Sequence, residues 1–257
     1  MEKITLTGVI HGPSGVGKSW FLDTAPGPKL VIDLEGRARY TPSGPKVWWD
    51  PMAAAPPDPA QGWQTCIVTA ASYATLDQAY QWLRSGQHGF VSCGIDSVME
   101  AQQRCVDDIS PTMQQFDQQD WGTLKRKLER LIRDYRDLTL LSSNTIETVM
   151  FLTGSVDDGK KQRPLLQGGL KDTLPYLVDL VGYMFKAPQT EGTFVRSMLV
   201  DEQPGFVAKD GTGRFVSAYP GGIIPNPNLT EMRTLLSNQN PEPAVAAAPI
   251  HQEVAAV

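Results

Sequence analysis

Residues 12–19 read Gly-Pro-Ser-Gly-Val-Gly-Lys-Ser. The stretch fits the pattern G-x-x-x-x-G-K-[ST] without a mismatch, and each position has a physical task. Gly12, Gly15 and Gly17 can take backbone angles closed to other residues, so several N–H groups can turn inward onto phosphate oxygens. Residues Gly12, Pro13, Ser14, Gly15, Val16, Gly17, Lys18, Ser19 and Trp20 are the expected phosphate-holding segment. Lys18 is placed to reach the β- and γ-phosphates as a point charge, and the Ser19 hydroxyl to ligate Mg²⁺. A helix starting here aims its positive end at the same anion.

The flanks agree with this reading. Residues 3–11 carry the apolar and β-branched run of a buried strand. Trp20-Phe21-Leu22 opens a short helix that must stop before Pro26. Further strands are expected at 30–32, 66–70, 89–96 and 138–142, with helices at 76–83, 98–109 and 121–138. Strands alternating with helices give an α/β fold: a mostly parallel sheet flanked by helices. From residue 145 the pattern changes. Segments 146–154, 180–187, 194–201 and 206–216 read as strands joined by turns, which predicts a C-terminal antiparallel extension, and 229–236 reads as a last helix. The core is expected to span 1–237. It is interrupted at 41–64 by an irregular Pro- and Ala-rich insertion whose Trp48, Trp49 and Trp63 are expected to pack on the domain. It is followed at 238–257 by a disordered Pro/Ala-rich tail.

Composition narrows the class. The 257 residues carry a net charge of −5, which argues against a surface coated in cations for nucleic acid but leaves a local basic patch open. No apolar run is long enough to cross a membrane, and no charged-then-apolar leader precedes the first strand. The three cysteines, Cys66, Cys93 and Cys105, form no C-x-x-C pair, and the histidines have no ligand spacing. These features give the expectation of a cytoplasmic protein without a membrane partner.

Acids after the loop suggest what is done with the phosphates. Asp96 ends the apolar strand Phe90-Val-Ser-Cys-Gly-Ile, where a carboxylate can hold waters of Mg²⁺ beside Ser19. Glu35 ends the strand after the first helix and is the preferred group to orient and deprotonate an attacking water. Asp33, on the same strand face, is its competitor. With Lys18, these acids make Lys18, Glu35 and Asp96 the expected catalytic set, and Ser19 and Asp96 the expected metal ligands. Asn144, among the polar residues 142–145, is the favoured γ-phosphate sensor. Lys209 and Arg214 flank a tight turn and can supply a cation to a neighbouring subunit's site, or simply form a solvated hairpin tip. Lys160, Lys161, Arg163 and Lys171 punctuate a glycine-containing basic loop over 155–172, open to DNA-backbone contact or to plain solvent exposure. The basic face of the 121–138 helix, diluted by Glu129, Asp134 and Asp137, reads as a solvated face.

The ordered set Gly12–Ser19, Val31-Ile-Asp-Leu-Glu-Gly36, Ile95-Asp-Ser97 with Glu100, Asp120-Trp-Gly122 and Ala208-Lys-Asp210 resembles the phage-encoded AAA/RecA-like P-loop nucleotide-binding proteins. The chain is similar to the core-only RecA-type single-strand annealing proteins in particular. The resemblance implies a RecA-like ATPase core using ATP and Mg²⁺, with Glu35 as catalytic glutamate and Asp96 as Walker B acid. It also implies Lys209 as a subunit-bridging cation, a homo-oligomeric ring or filament, single-stranded DNA bound through the basic loop, and action in phage recombination within a bacterial host. A single-stranded-DNA-binding protein would be a further partner. Two rival readings remain: a nucleotide-switched loader or assembly factor without DNA affinity, and a nucleotide kinase of guanylate-kinase type. The latter lacks the arginines expected soon after the loop.

Overall fold

The computed structural model describes residues 3–110, 116–189 and 192–238. Strand β1 (Leu6–His11) leads through the glycine loop into helix α1 (Lys18–Asp23), and β2 (Lys29–Asp33) returns to the sheet. After β3 (Lys46–Trp48) and β4 (Thr65–Thr69) come helix α2 (Tyr73–Ser85), β5 (Ser92–Asp96), α3 (Val98–Ile109) and α4 (Gln118–Asp137). Strand β6 (Thr148–Leu152) runs into a small hairpin, β7 (Ser155–Asp157) and β8 (Gln162–Pro164). Helix α5 (Leu170–Leu177), β9 (Leu180–Pro188), β10 (Phe194–Leu199), β11 (Lys209–Asp210), α6 (Arg214–Ala218), β12 (Ile223–Pro225) and α7 (Leu229–Ser237) complete the described chain.

The main sheet has the order β12-β10-β9-β1-β6-β5-β2-β4-β3, with β11 paired to β9. Every pairing from β3 across to β9 is parallel, whereas β10, β11 and β12 join antiparallel. This is the expected mostly parallel, helix-flanked sheet with an antiparallel C-terminal extension. Parallel central strands are covered on both faces and therefore read as continuous apolar runs. Strands β1, β2, β5 and β6 are buried at every residue. Helices α2 to α5 pack one face through Leu76, Leu83, Ala101, Leu128, Tyr135 and Leu174, and α1, α6 and α7 pack the other through Phe21, Leu22, Phe215, Leu229 and Met232.

Helix α4 shows how local sequence sets an element. Its apolar residues Leu124, Leu128, Leu131, Ile132 and Tyr135 repeat at helical spacing and are buried, and Asp117 caps it in a reciprocal capping box with Asp120. The insertion is stitched down by its aromatics. The Trp49 indole N–H donates to Ala54 O and that of Trp63 to Asp58 O, each at 2.9 Å, and both rings lie against Phe90. Trp48 alone of the three is exposed.

Four expectations are corrected. The stretch 138–142 is no strand: it forms a 3-10 turn over Leu138–Leu140, in which Leu140 is 71 % exposed. The strand that follows α4 is β6, which lies at the centre of the parallel sheet between β1 and β5, not in its antiparallel extension. Residues 206–216 hold only the two-residue β11, because the Asp210 carboxylate accepts from the N–H groups of Thr212, Phe215 and Val216 and starts helix α6. The basic 155–172 segment is an antiparallel hairpin followed by the start of α5 rather than a loop. Of the 238–257 tail, residues 239–257 lie outside the described part of the chain.

Candidate functional site

The parallel strands β1, β5, β2 and β6 all end at one edge of the sheet, and chemistry in such folds collects at that edge. There the loop after β1 wraps over the sheet. Val16 is buried in the core and pins the loop, while Pro13, Ser14 and Gly15 stay exposed. Gly17 ends the loop at φ +105°, and Gly12 passes so close to β9 that a Cβ there would stand 2.3 Å from Met184 O. Only glycine fits both positions. The Lys18 amine donates to Gly12 O and Pro13 O, each at 2.9 Å, so it is held across the mouth of the loop. Burial pushes its pKa below the ordinary lysine value.

A cavity of about 610 Å³ opens over the loop. Its wall contains Lys18, Ser19 and Trp20 together with Glu35, Arg37, Asp96, Ser97, Thr153, Ser155 and Arg196. The Ser19 hydroxyl donates to Asp96 Oδ2 at 2.6 Å. Burial raises the Asp96 carboxyl to about 6, against the Ser19 hydrogen bond, which lowers it. One hydroxyl and one buried carboxylate side by side fit Mg²⁺ that keeps several waters and takes its remaining oxygens from phosphates. Among the described residues no group of three or more His, Cys, Asp or Glu side chains could hold a metal alone.

Glu35 and Asp33 divide their roles. Both oxygens of Asp33 accept backbone N–H groups, from Glu35, Arg37 and Ala38, so this buried acid builds the turn after β2. Glu35 is turned to the cavity, where Ser97 Oγ donates to its Oε1 at 2.7 Å and Arg37 Nε lies 3.0 Å from its Oε2. Ser97 is also the N-cap of α3, which fixes its hydroxyl in space.

Other expected site residues stand elsewhere. Asn144 lies before β6, at the sheet edge opposite the loop, since Thr148 pairs with Leu6. Its side chain is buried, donating to Leu83 O at 2.7 Å and accepting from Ile146 N at 3.0 Å, so the sensor expectation is corrected. The residues that follow β6 into the cavity wall are Thr153 and Ser155, which the expected placing of 146–154 in an antiparallel extension hides. The Lys209 amine donates to Val178 O at 2.8 Å and Pro175 O at 3.2 Å, capping the end of α5. Arg214 opens α6 outside the cavity wall. In the β7–β8 hairpin region, Arg163 pairs with Asp158 and Asp172 and Lys161 with Glu202, whereas Lys160 is exposed at the tip. Lys171 lies in the first turn of α5.

His11, the last residue of β1, is fully buried. Its Nε2–H donates to Val207 O at 2.7 Å, which leaves Nδ1 to accept from Ser155 Oγ at 3.1 Å. Burial pulls its pKa down to about 4. Among the described residues no helix is long and apolar enough to cross a membrane.

No curated protein matches the sequence. Likenesses of fold include an ATPase of the type III secretion system of pathogenic bacteria at 15 % identity and TM-score 0.46, covering 71 % of this chain and 52 % of that one. The chain thus spans about half the length of that ATPase. A KaiC-like protein of Pyrococcus horikoshii OT3 aligns at 15 % identity and TM-score 0.42, over 86 % of this chain and 88 % of that one. A further solved ATPase domain aligns at 12 % identity and TM-score 0.44, over 87 % of this chain and 81 % of that one. A family model described as an AAA domain matches residues 4–212, from the approach to β1 through β11, and the chain belongs to that AAA-domain family.

Proposed function

We propose that this chain hydrolyses Mg²⁺-bound ATP. The observation that carries the reading is the meeting of Lys18, Ser19, Asp96 and Glu35, from three different strand ends, around one cavity. The loop N–H groups and Lys18 would hold the phosphates, and Ser19 with Asp96 would hold Mg²⁺, which when bound would supply positive charge against the phosphates. Glu35, oriented by Ser97, positions a water in line with the γ-phosphorus and accepts its proton. The water oxygen bonds to phosphorus as the bond to the β,γ-bridging oxygen breaks, releasing phosphate and ADP. Lys18→Ala abolishes binding or turnover under this reading, and Glu35→Gln keeps binding while losing turnover. Full turnover in either variant rejects the assignment.

The proposed use of that hydrolysis is single-strand DNA annealing or recombination in phage DNA metabolism by a ring or filament of this chain, within the cytoplasm of a bacterial host and alongside a single-stranded-DNA-binding protein. The support is the resemblance of the ordered motifs, together with the position of the basic β7–β8 hairpin. Ser155 of that hairpin lines the cavity while Lys160 stands exposed at its tip. One observation favours the loader alternative. Arg163 and Lys161 pair with acids of their own chain, which reduces the charge available to a phosphate backbone. The AAA match lends no support to the nucleotide-kinase alternative. ATPase rates with and without single-stranded DNA, beside a strand-annealing assay, separate the remaining two. Stimulation and annealing support the DNA reading; tight partner binding without DNA affinity supports the loader.

A further inference from the structure

Arg196 stands on β10 and reaches across the loop. Its Cζ lies 4.9 Å from the centroid of the Trp20 ring. Its Nε is so close to the loop that a Cβ on Gly17 would stand 2.8 Å away. It shares the cavity with Lys18, Glu35 and Asp96, and among the described residues no carboxylate lies within ion-pair range of it. Its direct cross-strand neighbour on β9 is Lys186, a second exposed cation on the same face of the hairpin. Like charges set directly opposite each other destabilise a strand pair, and a bound anion removes that repulsion.

The sheet order says which part of a nucleotide would be that anion. Strand β1 and its loop lie between two groups of strands. Asp96 and Glu35 follow β5 and β2 on one side, and Arg196 comes from β10 on the other. The reacting γ-phosphate belongs beside the acids and Ser19. The rest of the nucleotide then crosses the loop toward Trp20 and Arg196.

We propose that Arg196 is a binding residue of this same site, acting from within the chain on the α- and β-phosphates of a nucleoside di- or triphosphate, with Trp20 holding its guanidinium in place. The inference rests on the reading of the loop as a nucleotide site. A planar guanidinium can take two phosphate oxygens at once, which a lysine cannot.

Calorimetric titration of the full chain with Mg²⁺-ADP and with a non-hydrolysable Mg²⁺-ATP analogue tests it. Arg196→Ala weakens both ligands by the same factor, about tenfold or more, the scale of one lost charge-assisted hydrogen bond. Arg196→Lys falls between Arg196→Ala and wild type, and unliganded Arg196→Ala melts no lower than wild type. Unchanged ADP affinity in Arg196→Ala, or a loss confined to the triphosphate analogue, overturns the proposal. If Arg196→Ala binds normally while Lys18→Ala does not, this inference falls and the nucleotide site stands. If wild type binds neither ligand, both fall.

Discussion

The Ser19 hydroxyl and the Asp96 carboxylate lie 2.6 Å apart, although β6 separates the strands that lead to them. That single bond joins the first turn of α1 to the tip of β5 and sets two oxygen donors side by side. Asp96→Asn keeps the shape of this contact and removes its charge. ATP turnover at saturating Mg²⁺ should fall by about 10²–10³-fold, the scale of one lost electrostatic stabiliser. Turnover within a few-fold of wild type would move the metal acid elsewhere.

The same substitution should stabilise the free protein. Burial raises the Asp96 carboxyl to about 6, above its ordinary 3.8, so its ionised form is disfavoured in the folded state. The stability it contributes is full below pH 3.8 and is lost as pH rises to about 6. Above pH 6, Asp96→Asn removes a cost on the order of 3 kcal/mol. Without Mg²⁺ or nucleotide at pH 7.5, its melting temperature should exceed that of wild type by a few degrees; a lower one would refute the account.

His11 works in the opposite direction. Its folded pKa is depressed from 6.5 to about 4, so the unfolded chain takes up the proton first. Stability is therefore lost as pH falls from 6.5 to about 4, by up to roughly 3 kcal/mol. In wild type the protonation of Asp96 offsets part of this loss. The acid side of the stability profile should thus be steeper in Asp96→Asn than in wild type, read by denaturant titration at successive pH values. Parallel profiles would show that Asp96 does not titrate as its burial implies.

Gly17 and Gly12 fail for different reasons when replaced by alanine. At Gly17 the side chain meets the movable end of Arg196 and a backbone at φ +105°, so the fold should survive with a loss of about 1–3 kcal/mol while nucleotide affinity drops. At Gly12 it meets the carbonyl of Met184, which is backbone and cannot step aside. Gly12→Ala should be the more destabilising in chemical denaturation. The reverse order would contradict the packing of β9 on the loop.

Tyr135 closes the core between α4 and α2, donating its hydroxyl to Leu76 O at 2.7 Å from a fully buried position. Tyr135→Phe should cost about 1 kcal/mol in unfolding free energy and leave nucleotide binding untouched. A loss of binding at unchanged stability would show that this contact reaches the site.

The loop, the two acids and the parallel sheet are legible because each is written locally. Gly12 to Ser19 are contiguous, and Glu35 and Asp96 each end an apolar run. The sequence reading prefers Glu35 over Asp33 for its length; in the structure Asp33 accepts three backbone N–H groups. What escapes depends on tertiary placement. A short apolar run such as Leu138–Leu141 carries no period that separates a strand from a turn, so the sequence pattern adds a strand before β6 and puts Asn144 at the wrong edge. Arg196 is invisible in the sequence because nothing near it speaks of phosphate. Its place over the loop follows from the pairing of β10 with β9 and the overhang of that hairpin on Gly12 and Gly17.

The cavity wall draws on residues from Gly12 to Arg196, at the ends of β1, β2, β5 and β6 and on β10. A molecule seated there touches chain segments that meet only when the sheet is assembled. It acts as a reversible staple across the whole domain, so its affinity and the domain's melting point form one thermodynamic quantity: at a free ligand concentration one hundred times Kd, the assembled state gains about 2.7 kcal/mol.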